Sequence, residues 1–127
     1  MGRPLIAFLI GSFLVIGSDC ARAHHSFAMF DQDNQVELVG VVQEFKFTSP
    51  HTFIILQVKA TDDKVTTWSL EGQRPSALVR DGWSSKSIKS GDEIVLTIAP
   101  LRSGAPGGAW TTNRIKFRDG RPIGAGD

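Results

Sequence analysis

Cysteine is almost absent from this chain of 127 residues, and its scarcity limits the available chemistry. The one cysteine, Cys20, lies in an N-terminal segment that we predict to be removed. Lipid attachment at Cys20 is disfavoured, because Asp19 stands where a lipoprotein signal has a small residue. The mature chain would then form no disulfide and offer no thiolate. A metal site would have to use histidine, carboxylate or backbone groups.

An excess of charge of one sign is also missing. The chain has 14 Lys and Arg against 13 Asp and Glu. Charges that nearly cancel create no broad field to hold nucleic-acid phosphates or an anionic membrane, so we expect no nucleic-acid partner. Hydrophobic residues at 41% and charged residues at 21% are typical of a folded protein, and the length fits one small domain.

Long hydrophobic runs are missing too: the apolar stretch Leu5–Gly17 lies in an uncharged span, residues 4–18, that falls short of the roughly 20 residues that cross a bilayer. Arg3 precedes this run and small residues ending at Ala23 follow it, which is typical of a secretory signal. We therefore predict a cleaved signal peptide over residues 1–23. Residues 24–127 would form a single periplasmic domain that does not insert stably into a membrane.

Apolar alternation and turn residues predict five strands and one short helix in the mature chain. The polar residues 31–35 predict a turn before the first strand. The first strand changes its apolar phase near Gly40, which indicates a glycine bulge. The predicted elements are strands at Val36–Phe47, Thr52–Lys59, Val65–Glu71, Glu93–Ala99 and Trp110–Arg118, and a helix at Arg74–Asp81. This order favours an all-β, OB-like barrel with the helix between strands three and four, and a small open β-sandwich is the alternative.

Three histidines are the candidate metal ligands. Cleavage after Ala23 would start the mature chain at His24-His25, where a free amine beside two imidazoles chelates copper(II) or nickel(II) well. In one geometry the amine and Nδ1 of His24 hold the ion and His51 adds a third nitrogen. In the other geometry the amine, the amide nitrogen of His25 and the imidazole of His25 surround the ion, and this arrangement can form even in an unfolded chain. The alternative is a solvated chain start, with His51 as a turn residue.

A second candidate site is a ligand-binding face formed by Trp110, Arg102 and Glu71. Trp110 follows a glycine-rich loop and is expected to be exposed, whereas Trp68 is expected to point into the core and Trp83 to cap the barrel. Glu71 ends a strand, so it is also a candidate ion-pair partner of nearby arginines, for example Arg74 or Arg80. Nucleophile elbows, phosphate-binding loops and zinc-protease motifs are absent from the sequence.

Several short motifs together resemble a family of small exported proteins, mostly from proteobacteria, whose activity is not established. These motifs are His24-His25-Ser26-Phe27, Gly40-Val41-Val42, Ser49-Pro50-His51, Trp68-Ser69-Leu70-Glu71, Leu78 with Gly82-Trp83, Ser90-Gly91-Asp92, Pro100-Leu101-Arg102 and Asp119-Gly120. One departure is Ser49, where the family more often has asparagine before Pro-His. The resemblance implies export and the barrel, and it draws attention to the His-His start and to Pro-His.

The sequence thus supports three functional hypotheses. The first is a non-enzymatic periplasmic protein that binds a copper-type ion through His24, His25 and His51 and buffers or delivers it. The second is an interaction module that holds a periplasmic protein or small ligand on a barrel face and the loop from Leu101 to Trp110, with the histidines incidental. The third is a copper oxidase-like enzyme with a histidine brace, for which the sequence shows no substrate cleft.

Overall fold

The structure is a computed structural model that describes residues 27–124, so the predicted signal peptide and both His24 and His25 lie outside the described residues. Phe27 and Ala28 are helical, a 3-10 helix covers Thr112–Arg114, and the other elements of this part of the chain are six strands and one α-helix. They are β1 Val36–Lys46, β2 Phe53–Lys59, β3 Val65–Glu71, α1 Pro75–Arg80, β4 Glu93–Pro100, β5 Gly107–Ala109 and β6 Ile115–Phe117. Among these residues, no helix is long and apolar enough to cross a membrane.

Five of the strands close into the predicted OB-like barrel. Going round the barrel the order is β1, β2, β3, β5, β4 and back to β1, with β3 and β5 parallel and the other neighbours antiparallel. The long strand β1 closes the barrel because its first half pairs with β4 and its second half with β2. The predicted helix lies between β3 and β4, as expected. The fold class predicted from sequence is therefore confirmed.

The bend of β1 differs in detail from the prediction. The pairing with β2 shifts register between Val42 and Glu44, so the bulge lies at Gln43, three residues beyond Gly40. Gly40 has a different structural role, because a Cβ at this position would lie only 2.5 Å from the carbonyl oxygen of Gln57. The glycine permits close approach of β2, and the bulge beyond it re-aims the strand.

The fifth strand was predicted in the wrong place. β5, which closes the barrel, is the short segment Gly107–Ala109 inside the predicted loop, and the predicted strand Trp110–Arg118 contains only β6. β6 pairs with the start of β4, beside the barrel. Two glycines form most of β5 because side chains would collide there: a Cβ on Gly108 would lie 2.7 Å from the Ala99 carbonyl oxygen.

The barrel interior is aliphatic, and one end of it is filled by aromatic rings. The fully buried aliphatic side chains alternate along the strands, and they include Ile54, Leu56, Leu70, Ile94, Leu96 and Ile98. The rings of Trp83 and Trp110 lie 5.3 Å apart, and Phe45 contacts both edge-on at 6.1 and 6.4 Å. These rings fill the end of the barrel where β1 and β3 end, next to the β1–β2 connection that carries His51.

Candidate functional site

His51 and Glu71 meet at the end of β3. Nδ1 of His51 lies 3.4 Å from Oε1 of Glu71 and 3.2 Å from the carbonyl oxygen of Gly72. The His51 side chain is 43% exposed and that of Glu71 is 23% exposed, so the pair is open to solvent on one side. Glu71 therefore pairs with the histidine, and not with Arg74 or Arg80 as the sequence suggested.

These two contacts determine which ring nitrogen of His51 is free. The carbonyl oxygen of Gly72 accepts the hydrogen bond from Nδ1, so Nδ1 carries the proton, and the nearby Glu71 carboxylate favours that proton electrostatically. In the neutral ring Nε2 then holds the lone pair. A backbone carbonyl that accepts a hydrogen bond from one ring nitrogen, as Gly72 does here, is one of the arrangements that orient metal-binding imidazoles in proteins. The lone pair on Nε2 of His51 is thus available to bind a metal ion.

Backbone hydrogen bonds hold the segment that carries His51 against the end of β3. Gly72 N donates to the carbonyl oxygen of Thr52 at 2.8 Å, and Thr52 N donates to that of Gln73 at 3.1 Å. The buried Thr52 hydroxyl donates to the same Gln73 oxygen at 2.8 Å. The imidazole therefore projects from a segment that is fixed at the next residue, which keeps its position well defined.

Trp110 lies behind this segment and not on the surface. Its side chain is only 2% exposed, so the prediction of an exposed Trp110 is wrong. The reason is Gly72: a Cβ there would lie 2.5 Å from Cε2 and 2.6 Å from Nε1 of Trp110, so the indole occupies the space that a side chain would need. Within residues 27–124, Nε1 of Trp110 has no hydrogen-bond partner although it is buried. Trp83 is also buried and Trp68 is half-buried against the core, as predicted.

Arg102 has a different role from Glu71, because it fastens the N-terminal segment. Its backbone N donates to the carbonyl oxygen of Met29 at 2.9 Å, and its Nε donates to that of Ala28 at 3.2 Å. Its Nη1 lies 3.8 Å from Oδ1 of Asp31. Phe30, which is buried, pairs with Leu101 next to these contacts. The chain is thus anchored a few residues after the predicted mature start.

Asp31 forms the predicted turn and adds to this anchor. Its carboxylate accepts hydrogen bonds from the Asn34 side chain at 3.0 Å and from the backbone N of Asp33 and Asn34 at 3.2 Å each. The Asn34 side-chain bond chiefly lowers the pKa of Asp31 below its ordinary 3.8, partial desolvation opposes it, and the backbone bonds and Arg102 add to the lowering. The turn directs the chain from the anchor into β1.

The structure therefore brings together some of the predicted site residues and separates others. His51 and Glu71 are in contact, Trp110 is buried behind Gly72, and Arg102 lies on the β4–β5 connection. No group of three His, Cys, Asp or Glu side chains with metal-site geometry occurs within residues 27–124. His24 and His25 lie outside those residues, so their part in a site remains a prediction.

Sequence reasoning missed the apolar surface next to His51. Strand alternation places Phe53 on the outer face of β2, opposite Lys46 of β1 on one side and Glu71 of β3 on the other. Phe53 and Ile55 are half-buried but do not belong to the core cluster. The sequence feature that could have revealed this surface is the alternation of Phe53 and Ile55 with the buried Ile54 and Leu56, because it predicts two apolar side chains on the outer face.

A shallow groove lies elsewhere on the barrel wall. Its volume is about 350 Å³, and it is lined by β1, β4 and the segment around β6, including Glu37, Arg114 and Lys116. Arg114 donates a hydrogen bond to the side chain of Gln35 beside it. None of the residues that the sequence singled out as site candidates lines this groove.

Comparison with known proteins gives one family. A model of a family of unknown function, DUF6152, matches residues 12–112, which is more than half of the chain. The chain belongs to the DUF6152 family. The predicted resemblance to a family without an established function is thereby confirmed, while DUF6152 membership leaves export and metal binding as predictions. No curated protein matches this DUF6152 member.

One solved structure is similar to this DUF6152 member. It is the crystal structure of the small single-stranded DNA-binding protein from Streptomyces coelicolor, with a TM-score of 0.47, 19% sequence identity, and coverage of 66% of this chain and 91% of that chain. Our exclusion of nucleic acid as a partner is wrong in view of this finding. The likeness concerns the fold, and binding of single-stranded DNA is stated of the Streptomyces protein alone.

The physical error in that exclusion is that total charge was taken for charge distribution. Residues 27–71 carry three Lys and seven Asp and Glu, whereas residues 72–124 carry nine Lys and Arg and four Asp and Glu. The two halves therefore have opposite net charge although the whole chain is nearly neutral. A local field of either sign can exist on such a molecule.

Proposed function

We propose that this DUF6152 member is an exported, non-enzymatic protein that binds a copper-type metal ion through its mature N-terminus and His51, and that it buffers or delivers the ion. The observation that carries the proposal is the orientation of His51. Its Nδ1 is engaged by Gly72 and Glu71, which leaves Nε2 free on a 43% exposed side chain. Imidazole nitrogen is a preferred ligand of copper(II).

The anchored N-terminal segment supports the second half of the site. Copper(II) would be held by the amine and Nδ1 of His24, with His51 as the third nitrogen. Phe30 pairs with Leu101, Leu101 is bonded to Gly107, and Gly107 lies opposite Ser69, two residues before Glu71. Three steps between neighbouring strands of about 4.8 Å each, together with two residues along β3, place Phe30 and Glu71 roughly 16 Å apart.

The length that the chain before this anchor can span is comparable with the distance from Phe30 to Glu71. The residues from His24 to Phe27 can span up to about 10 Å, and the side chains of His24 and His51 extend this distance further. A single ion bound to both would join the N-terminus to the end of β3. The interaction-module hypothesis has lost the exposed Trp110 on which it depended.

The experiment is a copper(II) titration by calorimetry on protein isolated from an export host, after mass spectrometry confirms that the chain starts at His24. We expect one copper per chain. An Ala-Pro extension before His24 removes the amine from the site, and proline offers no amide N–H as a substitute. His51→Ala removes the third ligand. The proposal requires both changes to weaken binding at least tenfold.

Two results would contradict the proposal. If the processed protein binds no copper, the metal site does not exist. If it binds copper with an affinity that His51→Ala leaves unchanged, the ion is wrapped by the terminal residues alone and the barrel has no part in it. A mature start other than His24 would contradict the predicted cleavage site, and an unprocessed chain would contradict export; both are read out separately from metal binding.

A further inference from the structure

One segment of the barrel surface carries cations without partners. Residues 74–90, here named the basic cap, run from the end of β3 through α1 towards β4 and cover one end of the barrel. Three buried side chains, Leu78, Trp83 and Ile88, fix the underside of the cap to the core. The outer side carries four exposed cations, which are Arg74, Arg80, Lys86 and Lys89.

The cations of the cap differ from most others in the described part of the chain. None of the side-chain ion pairs within residues 27–124 involves any of the four, although the Asp92 carboxylate accepts a hydrogen bond from the backbone N of Lys89 at 2.9 Å. By contrast, the three lysines of the β1–β3 half are all paired: Lys46 with Glu44, Lys59 with Asp63 and Lys64 with Asp62. The only acidic residue of the cap, Asp81, accepts a hydrogen bond from the Thr112 hydroxyl at 2.7 Å. With four cations and one carboxylate, the cap therefore carries a net side-chain charge of +3.

Two features of the basic cap indicate which class of partner its positive charge binds. Val79 lies on the exposed side of α1 and is 58% exposed, so an apolar group stands among the cations. The only aromatic residue of the cap, Trp83, is buried and cannot stack on a base, although proteins that hold single-stranded nucleic acid combine cations with stacking aromatics. Cations around an exposed aliphatic group fit lipid phosphates above an acyl layer better.

We propose that the basic cap is a peripheral docking surface for a bilayer that contains anionic phospholipids. The exposed cations contact the lipid phosphates, and Val79 enters the boundary between headgroups and acyl chains. The cap shares no residue with the proposed metal ligands, so the docking does not depend on metal binding. It replaces our initial expectation that no anionic membrane is held.

The test is sedimentation with vesicles, without metal, of the protein that starts at His24. Vesicles of phosphatidylglycerol and phosphatidylcholine in equal parts are compared with pure phosphatidylcholine. The cap variant is Arg80→Gln, Lys86→Gln and Lys89→Gln. The matched control is Lys46→Gln, Lys59→Gln and Lys64→Gln, which changes the net charge equally on the other half. Circular dichroism checks that both variants fold.

We expect binding to the anionic vesicles only, and its loss at 1 M salt, where the screening length is about 3 Å. Each cation near an anionic surface contributes about 1 kcal/mol, so the cap variant should bind about a hundredfold more weakly. The control should bind nearly as well as the native protein. Absence of binding to anionic vesicles would overturn the proposal, as would an equal loss in the control. Tighter, cap-dependent binding of a 25-residue oligothymidylate than of the vesicles would also overturn it, in favour of nucleic acid.

Discussion

Gly72→Ala tests the packing that supports His51. The new Cβ would lie 2.5 Å from Cε2 of Trp110, 2.6 Å from its Nε1 and 2.7 Å from the Thr52 hydroxyl oxygen. Trp110 is buried among other rings and cannot simply turn away, so the backbone or the indole must shift. Overpacking of this kind costs about 1–3 kcal/mol.

This cost is large enough to measure in a domain of about 100 residues, where 1 kcal/mol corresponds to a shift in Tm of about 4–8 °C. We expect Gly72→Ala to lower Tm by roughly 5–20 °C, measured by circular dichroism and checked by urea unfolding. Trp110→Phe provides the partner for a double-mutant cycle, because the smaller phenylalanine ring has more room to move away from the new Cβ. In that background Gly72→Ala should cost at least about 1 kcal/mol less. A cost below about 0.5 kcal/mol, or one that Trp110→Phe leaves unchanged, would refute the packing argument.

Three further predictions concern the anchor and the His51 pair. Arg102→Ala removes a hydrogen bond of about 1 kcal/mol to Ala28, so the Asp31 amide should exchange its hydrogen roughly fivefold faster, while Arg118→Ala, whose guanidinium pairs with Glu93, should not change that rate. Because the folded pKa of Asp31 is lowered, chiefly by Asn34, its contribution to stability is complete above pH 3.8 and is lost as the pH falls through the lower folded value. An NMR titration of Asp31 should therefore have a midpoint below 3.8, and a midpoint at or above 3.8 would show that the turn does not hold the charged form. Glu71→Gln should weaken copper binding about tenfold to a hundredfold in calorimetry without lowering Tm by more than a few degrees, and unchanged affinity would mean that Glu71 does not orient His51.

The strands with strong side-chain patterns were predictable from the sequence. The third strand was predicted with its observed bounds, Val65–Glu71, and the others of the meander within one residue, because β-branched and alternating residues fill them. The closing strand Gly107–Ala109 was not predictable, since it has no side-chain pattern. It is a strand because its neighbours come close enough to pair with it, and only the folded barrel supplies that information.

The candidate site was predictable in part for a similar reason. Histidine beside proline at a strand start singled out His51, but its partner came from a strand twenty residues away in sequence. Trp110 was placed on the surface because a glycine-rich loop precedes it. Its burial depends on the absence of a side chain at Gly72, which no local pattern around Trp110 reveals. Contacts between strands and loops that are distant in sequence therefore determine both the partner of His51 and the burial of Trp110.

The central claim is that His51 offers Nε2 to an ion that the mature N-terminus also holds. The most direct measurement is a long-range proton–nitrogen NMR spectrum of the imidazoles, recorded on the protein that starts at His24 before and after one equivalent of copper(I) without oxygen. We predict a protonated Nδ1 and a free Nε2 in metal-free His51, and shifts of the His24 and His51 nitrogens in the same one-to-one step. A protonated Nε2, or a His51 signal that stays in place while those of His24 and His25 move, would contradict the claim.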